Sequence, residues 1–363
     1  MRVGYLHIGK HGGGVRRYGH IIAAGARDSP DLEVSETDAG ERDSSATAMV
    51  AAARALAGCD VVHAQWKPVD WGGGLVAWRR LRAFATACGR PLVITLHDVF
   101  ERHGPRERLL EAEALALRWL GRRATRLVVH SEEERKRLAG LVPARHVRVV
   151  PHFVEERVMA DGATSRAALG LSDKRVVTLL GFMVRRKGYS LTVDALPLLP
   201  DDVVALFAGG PMPGREARAD ELRARAAELG VAHRLTITGY LDAEHLDSAL
   251  AATHVAICPF RDLSASGSLS TWISTGRPIV TSDLPQFREY DALVPGALRI
   301  FRPLTAQAFA DGVRQALDEG PPPQDERVIR LRDHLLTPRA VEAYGAVYRE
   351  ALATDGGPTS PDR

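Results

Sequence analysis

Midway along the chain, the apolar run Val176-Val177-Thr178-Leu179-Leu180 leads directly into Gly181-Phe182-Met183-Val184-Arg185-Arg186-Lys187-Gly188. Beyond that loop, the pattern over Leu191–Leu199 predicts a helix. A strand, a glycine-bounded basic turn and a helix make one step of an α/β fold. Guanidinium and ammonium groups beside the free N–H groups of a helix start form a cradle for a phosphate or diphosphate. Because the loop lies mid-chain, it opens a second α/β unit rather than the first. The expectation is therefore a two-domain protein that holds an anionic ligand between its halves.

The rest of the chain repeats this alternation. Strands are expected at Val3–Ile8, Val61–Ala64, Leu92–Leu96, Leu127–His130 and Val147–Val150 in the first half. In the second half they are expected at Val176–Leu180, Val203–Ala208, Leu235–Thr238, Val255–Cys258 and Pro278–Ser282. Helical stretches lie between them, including Val15–Ala26, Thr47–Ala57, Leu75–Ala87, Glu107–Leu120 and Glu132–Leu141, then Arg215–Leu229, Ala243–Ala252, Leu269–Thr275 and Thr305–Glu319. Pro151 to about Thr164 breaks the pattern and reads as an interdomain linker, and Gly320-Pro321-Pro322-Pro323 is a second break. Arg327–Leu335 and Pro338–Ala353 read as two final helices. Residues 354–363 are polar and rich in Gly and Pro, the composition of a disordered tail.

A length of 363 residues suits two such domains. No apolar run approaches the roughly 20 residues that cross a bilayer. Met1–Ile8 enters a strand pattern without the long apolar region of a signal peptide. Three cysteines, Cys59, Cys88 and Cys258, form no Cys-x-x-Cys pair and read as reduced buried thiols. A cytoplasmic location is expected. Residues 1–150 carry 24 Lys/Arg against 17 Asp/Glu, a balance of +7, whereas the remainder carries 24 against 28, a balance of −4. The basic first half, with Trp78-Arg79-Arg80 and Arg118-Trp119, keeps peripheral contact with an inner membrane face as an alternative to a solvated surface. There is no dense basic run or module for nucleic acid.

Several short stretches carry chemistry. His11-Gly12-Gly13-Gly14-Val15 follows the first strand and precedes a helix, so its backbone can approach a ligand closely. Its spacing is not G-x-G-x-x-G, and no Gly-Lys-Ser/Thr follows; a dehydrogenase fingerprint and a P-loop are both excluded. His97 ends the strand Leu92–Leu96, where open α/β sheets place ligands. His63 is a weaker candidate of the same kind. Ser264-Ala265-Ser266-Gly267-Ser268-Leu269 is a hydroxyl-rich loop that opens a helix and can hold phosphate oxygens through N–H and O–H donors.

In this order, five pieces resemble the retaining glycosyltransferases of family 4, which have the two-Rossmann GT-B fold. They are the first glycine loop, Thr95-Leu96-His97-Asp98, Val149-Val150-Pro151-His152-Phe153, the Arg185/Lys187 loop, and the Ser264–Leu269 loop followed by Gly276-Arg277-Pro278-Ile279-Val280. The resemblance implies an acceptor domain at residues 1–155, a nucleotide-sugar domain at 156–335, and a last helix, 338–353, that crosses back to the first domain. It implies retention, no cofactor and no metal, with a nucleotide sugar as donor and a small molecule, glycan or lipid-linked molecule as acceptor. His97, Arg185 and Lys187 take catalytic roles in that picture. Gly13, Gly14, Arg186, Gly239, Tyr240, Leu241, Ser266, Gly267, Ser268, Leu269 and Glu289 contact the donor. Two departures stand out. Phe182 occupies the place where the family loop usually has arginine, so Arg185 or Arg186 must replace it. The usual Glu-x7-Glu pair falls at about Leu263 and Thr271, so both carboxylates are missing. A homologue that binds sugar nucleotides without turnover, and an epimerase or phosphorylase of the same fold, remain as alternatives.

Overall fold

The computed structural model describes residues 1–10, 13–40, 45–97, 99, 107–263, 266–319 and 324–355. His11, Gly12, Asp98, Ser264, Ala265, the Gly320–Pro323 break and most of the polar tail lie outside the described residues. The chain divides into two compact units. One comprises residues 1–153 with the chain from Thr337 onward, and the other comprises Val154–Leu336.

The first unit alternates strand and helix: β1 (Arg2–His7), α1 (Gly14–Arg27), β2 (Glu33–Asp38), α2 (Ala46–Ala55), β3 (Val61–Trp66), α3 (Gly74–Ala87), β4 (Leu92–Leu96), α4 (Glu107–Arg123), β5 (Arg126–Val129), α5 (Glu132–Arg137) and β6 (Val147–Val149). All six strands are parallel, in the order β2-β1-β3-β4-β5-β6. The chain reverses its direction of progress between β1 and β3. That is the switch point where an open α/β sheet leaves a crevice at the strand C-termini.

The second unit contains α6 (Gly162–Ala168), β7 (Arg175–Leu180), α7 (Tyr189–Ala195), β8 (Val203–Ala208), α8 (Ala217–Glu228), β9 (Leu235–Ile237), α9 (Ala243–Ala252), β10 (Val255–Cys258), α10 (Gly267–Thr275), β11 (Ile279–Ser282), α11 (Pro285–Leu293), β12 (Leu298–Phe301), α12 (Ala306–Asp318) and α13 (Glu326–Leu335). Its six parallel strands run in the order β12-β11-β10-β7-β8-β9, with the switch point between β7 and β10. The last helix, α14 (Thr337–Asp355), returns to the first unit.

Central strands are apolar on both faces because helices cover both, and they were legible as β-branched runs. The two strands missing from the sequence reading, β2 and β12, are both edge strands. β2 reads Glu33-Val34-Ser35-Glu36-Thr37-Asp38, and none of its residues is fully buried. An edge strand sheds one neighbour, so its side chains can stay polar and the apolar signal disappears. β12, at one edge of the second sheet, is likewise only partly buried. Helix α11, absent from the sequence reading, opens on Pro285, a residue well placed in a first helical turn. The expected linker is also shorter than its composition suggested. Val154 is already buried beside Leu331 and Leu335, and its N–H donates to the Leu335 carbonyl at 2.7 Å. Asp161 then caps α6 by accepting from Thr164 N at 2.7 Å.

In the first unit, α1 and α14 cover one face of the sheet. Their apolar residues join Val3, Tyr5, Val61, Val93 and Val128 in a single core. The other face packs on α2, α3 and α4 through Met49, Leu81, Phe84 and Leu120. Trp78 and Trp119 stack edge to face at 5.1 Å, which accounts for the aromatic content of the two arginine-rich stretches. All three cysteines are buried and unpaired. Among the described residues, no helix is long and apolar enough to cross a membrane.

Helix α14 carries Tyr344 and Tyr348, each fully buried and hydrogen-bonded. Truncating Tyr344 to alanine removes a large core ring and one hydrogen-bond partner of each of the Tyr18 and Thr95 hydroxyls. A loss of roughly 3–5 kcal/mol is expected for Tyr344→Ala in urea unfolding. A loss below about 1 kcal/mol would show that α14 contributes little to the fold of this unit.

Candidate functional site

The second unit builds its site from backbone outward. Gly181 follows β7 with φ +107°, and the space where its Cβ would stand is filled by the Lys187 ammonium. Gly188 closes the loop with φ +78°, and a Cβ there would fall on the Pro259 carbonyl oxygen. Only glycine meets both demands at each position, so the loop is drawn onto the end of β10. Met183 and Tyr189 anchor its inner side in the core, and Tyr189 donates to the Gly181 carbonyl at 2.5 Å.

A glycine-bounded basic turn such as that of Lys187 is ordinarily expected to be solvent-exposed. The structure corrects that. Its side chain turns inward, donating to the Leu180 carbonyl at 2.8 Å and to Ser268 Oγ at 2.9 Å, with the ammonium 5.6 Å from the centre of the Phe260 ring. Burial pushes the Lys187 pKa down from 10.5 to about 8, with nearby Arg186 adding to the fall. At neutral pH this is a cation whose hydrogen-bond partners among the described residues are two neutral oxygens. An anion entering there would gain far more than on open surface.

Helix α10 supplies the opposite wall. Ser266 is its N-cap, accepting from Leu269 N at 3.3 Å, and its hydroxyl lies 3.3 Å from Ser268 Oγ. Leu269 faces the core, and its N–H is spent on that cap. Among the described residues, the N–H groups of Gly267 and Ser268 make no hydrogen bond, and Gly267 has open space beside it. The start of α10 therefore offers two donors and the positive end of the helix, adjacent to Lys187.

Around this core the structure gathers other expected residues. Gly209, after β8, has no room for a Cβ against the Gly181 carbonyl, and Gly210 lies against the backbone of Gly239 and Tyr240. Gly239 has φ +74°, Tyr240 is 85% exposed, and Leu241 packs into a small core. Arg185 and Arg186 share a single turn with Lys187, and both are exposed. Phe182, at the place where arginine was expected, is 47% exposed. Glu289 is half-buried on α11. The positions where carboxylates were missing are accounted for locally: Leu263 is in the core, and Thr271 bonds back to the Gly267 carbonyl at 2.8 Å.

The first unit presents a different kind of edge. His7, Gln65, His97 and His130 end or follow β1, β3, β4 and β5 on the face covered by α1, and all four are buried. His97 is 6% exposed, and its Nε2 lies 2.8 Å from Gln65 Oε1. Burial holds its pKa well below 6.5, with His130 and His152 adding to the fall, so the ring is neutral. Tyr18 packs edge-on against it at 4.8 Å. Gly13 is the N-cap of α1, with its N–H on the Lys10 carbonyl at 2.9 Å, and Gly14 has open space at the head of that helix.

Sequence reasoning missed Gln65 and His130 as edge residues. The signal was present in the triplets Tyr5-Leu6-His7, His63-Ala64-Gln65, Thr95-Leu96-His97 and Val128-Val129-His130. Each strand turns polar at its last inward position. One cluster among the described residues has metal-ligating composition. His7 Nε2 and His20 Nδ1 lie 2.6 and 3.5 Å from one Glu36 oxygen. Arg27 pairs with the other oxygen, so the carboxylate is already neutralised and the cluster is an ion-pair hub.

Comparison with known proteins follows the same division. The profile described as Glycosyltransferase Family 4 matches residues 21–157. That described as Glycosyl transferases group 1 matches residues 174–319. The chain belongs to the family 4 glycosyltransferases. The D-inositol 3-phosphate glycosyltransferase of Mycolicibacterium gilvum is 28% identical over 233 residues, covering 61% of this chain and 51% of the relative. A GDP-mannose-dependent alpha-(1-6)-phosphatidylinositol monomannoside mannosyltransferase of Mycolicibacterium smegmatis is 29% identical over 205 residues, covering 54% and 51%. The chain thus spans about half the length of the curated relatives it matches. Among solved structures, Anabaena HepE in complex with UDP and glucose superposes with a TM-score of 0.74 at 16% identity, over 96% of this chain and 99% of that one. Sucrose-phosphate synthase from Thermosynechococcus elongatus gives 0.72 at 19% identity, over 97% and 99%. The fold is GT-B, with two Rossmann-like units.

The Lys187 niche makes a pH prediction. Its folded pKa of about 8 lies below the ordinary 10.5, so between those values the unfolded chain binds more protons and stability rises with pH. Lys187→Met removes that rise. Urea midpoints for both proteins from pH 7 to pH 11 check it; equal slopes through the window would mean that the ammonium is not desolvated.

Proposed function

We propose that the protein moves a hexosyl unit from a nucleotide sugar to an acceptor hydroxyl, with retention of anomeric configuration and without a metal ion. The observation that carries this reading is the half-buried Lys187, whose ammonium is turned inward at the switch point of the second sheet, between the Leu180 carbonyl and Ser268 at the start of α10. A desolvated cation beside a helix N-terminus is matched to a leaving diphosphate, whose charge grows as the glycosidic bond breaks. The relatives support the donor class by what their names state: UDP and glucose for one, GDP-mannose for another.

In this reading Lys187, with Arg185 or Arg186, stabilises the departing diphosphate, and the N–H groups of Gly267 and Ser268 bind its oxygens. The backbone at Gly239 and Tyr240 borders the nucleotide, and Glu289 lies toward the ribose. As the bond from the anomeric carbon to the phosphate oxygen breaks, the acceptor oxygen bonds to that carbon from the same face. Its proton passes to the leaving phosphate oxygen. No enzyme carboxylate is needed for that transfer. With Leu263 and Thr271 in place of the family's glutamates, the second unit grips phosphate and base more firmly than sugar.

Lys187→Ala is expected to cut turnover roughly 10²-fold or more while the protein stays folded, as loss of one charge contact in a transition state does. Calorimetry should find a nucleoside diphosphate binding about as tightly as the full nucleotide sugar, since each neutral hydrogen bond to a sugar hydroxyl adds only about 0.5–1.5 kcal/mol. Normal turnover by Lys187→Ala, or a product of inverted configuration by NMR, overturns the reading. Turnover that requires inorganic phosphate would indicate a phosphorylase instead.

A further inference from the structure

Among its described residues the first unit leaves four large apolar side chains exposed: Val69, Leu75, Val76 and Leu115. All four lie on α3, on the turn before it, or on α4. These two helices join β3 to β4 and β4 to β5 and pack on the same face of the sheet. Because the three strands are parallel, the helices run side by side in one direction. Trp78 and Trp119, whose rings meet at 5.1 Å, set their register. Leu75 stands one turn before Trp78, and Leu115 one turn before Trp119. The two leucines, 70% and 63% exposed, therefore crown adjacent helices at one level.

From the tryptophans onward the same faces turn cationic. Residues 74–87 and 114–123 hold six arginines and no aspartate or glutamate. Arg80 is buried and donates to the Trp71 carbonyl at 3.1 Å. Arg79, Arg82, Arg118, Arg122 and Arg123 are exposed. None of those five makes an ion pair among the described residues, whereas the exposed helix arginines Arg135, Arg223, Arg225 and Arg288 each hold a carboxylate. Leu75, Arg79 and Arg82 share one helix face, as do Leu115, Arg118 and Arg122. A cavity of about 500 Å³ opens beside α4, lined by Arg118, Arg122 and the stretch from Ala139 to Ala144.

We propose that this face of the first unit docks on an anionic lipid bilayer, with one phosphodiester headgroup seated in the cavity beside Arg118 and Arg122. Guanidinium groups match phosphate oxygens in pairs of hydrogen bonds, and five of them stand here without a carboxylate to compete. Leu75, Val76 and Leu115 enter the boundary of the acyl chains, while the arginines reach the phosphates on their long stems. A soluble polyanion would satisfy the arginines and leave the leucines in water. The contact is peripheral, since no helix among the described residues is long and apolar enough to cross a membrane. It is independent of the glycosyl-transfer reading.

The test is flotation of the whole chain with vesicles of phosphatidylcholine alone, and of phosphatidylcholine mixed with phosphatidylglycerol. The chain is expected to float with the anionic vesicles only, and salt at about 0.5 M should release it. Arg118→Ser with Arg122→Ser should weaken binding about tenfold or more. Arg330→Ser with Arg349→Ser removes the same charge from exposed positions on α13 and α14, and should change binding less than about threefold. Leu75→Ser with Leu115→Ser should weaken vesicle binding about tenfold or more and leave binding to soluble heparin unchanged. All six side chains are exposed, so urea midpoints should stay where they are. No flotation with anionic vesicles at low salt, or equal losses from the two arginine pairs, would overturn the proposal. So would a leucine pair that still binds vesicles normally, which would mark a plain polyanion site.

Discussion

Both faces of each parallel sheet are covered by helices, and that constraint organises everything else in the protein. Side chains along the central strands have no water to meet, so most are apolar, and the polar ones within them, such as His63 and Thr178, are paired with other buried groups. At its strand ends the first sheet has His7, Gln65, His97 and His130 at the final inward positions of adjacent strands. The second has loops there rather than side chains. Gly181, Gly209 and Gly239 end or follow β7, β8 and β9, each with positive φ. One edge is thus lined by imidazole and amide, the other by backbone and a single buried ammonium.

The two edges solve different electrostatic problems. Around Lys187, a charge has been taken out of water and given only a carbonyl and a hydroxyl. Such a niche is costly when empty and becomes favourable when an anion arrives. Around His97 the rings are neutral, because burial drives the pKa of His63, His97 and His130 down together. Neutral rings cannot hold a phosphate by charge. Each offers one donor and one acceptor, in an order that its tautomer decides.

Helix α14 ties these observations to folding. It is the last helix in sequence, yet Tyr344 and Tyr348 complete the core over β1, β3 and β4 and supply hydroxyls to Tyr18, Thr95 and His63. The first unit therefore cannot finish its polar network until the end of the chain has been added, and that network includes the bond between His63 and Tyr348, 285 positions apart. That separation explains why no local pattern announced it.

The sequence by itself determined the alternation of strands and helices, the position of the second unit's opening loop and the identity of Lys187. Each of these is written in local periodicity or in a short motif whose backbone needs glycine. It also fixed the absence of carboxylates at Leu263 and Thr271, since composition at a counted position needs no coordinates. Tertiary structure alone decided the rest. Edge strands such as Glu33–Asp38 carry no apolar signal, because half their surroundings are water. Lys187 looked exposed because a basic turn usually is. Its inward turn depends on the space left by Gly181 and on Ser268, 81 residues further on. Gln65 looked like any polar residue at a strand end. Only the packing of β3 against β4 and α14 put its amide between the imidazoles of His63 and His97.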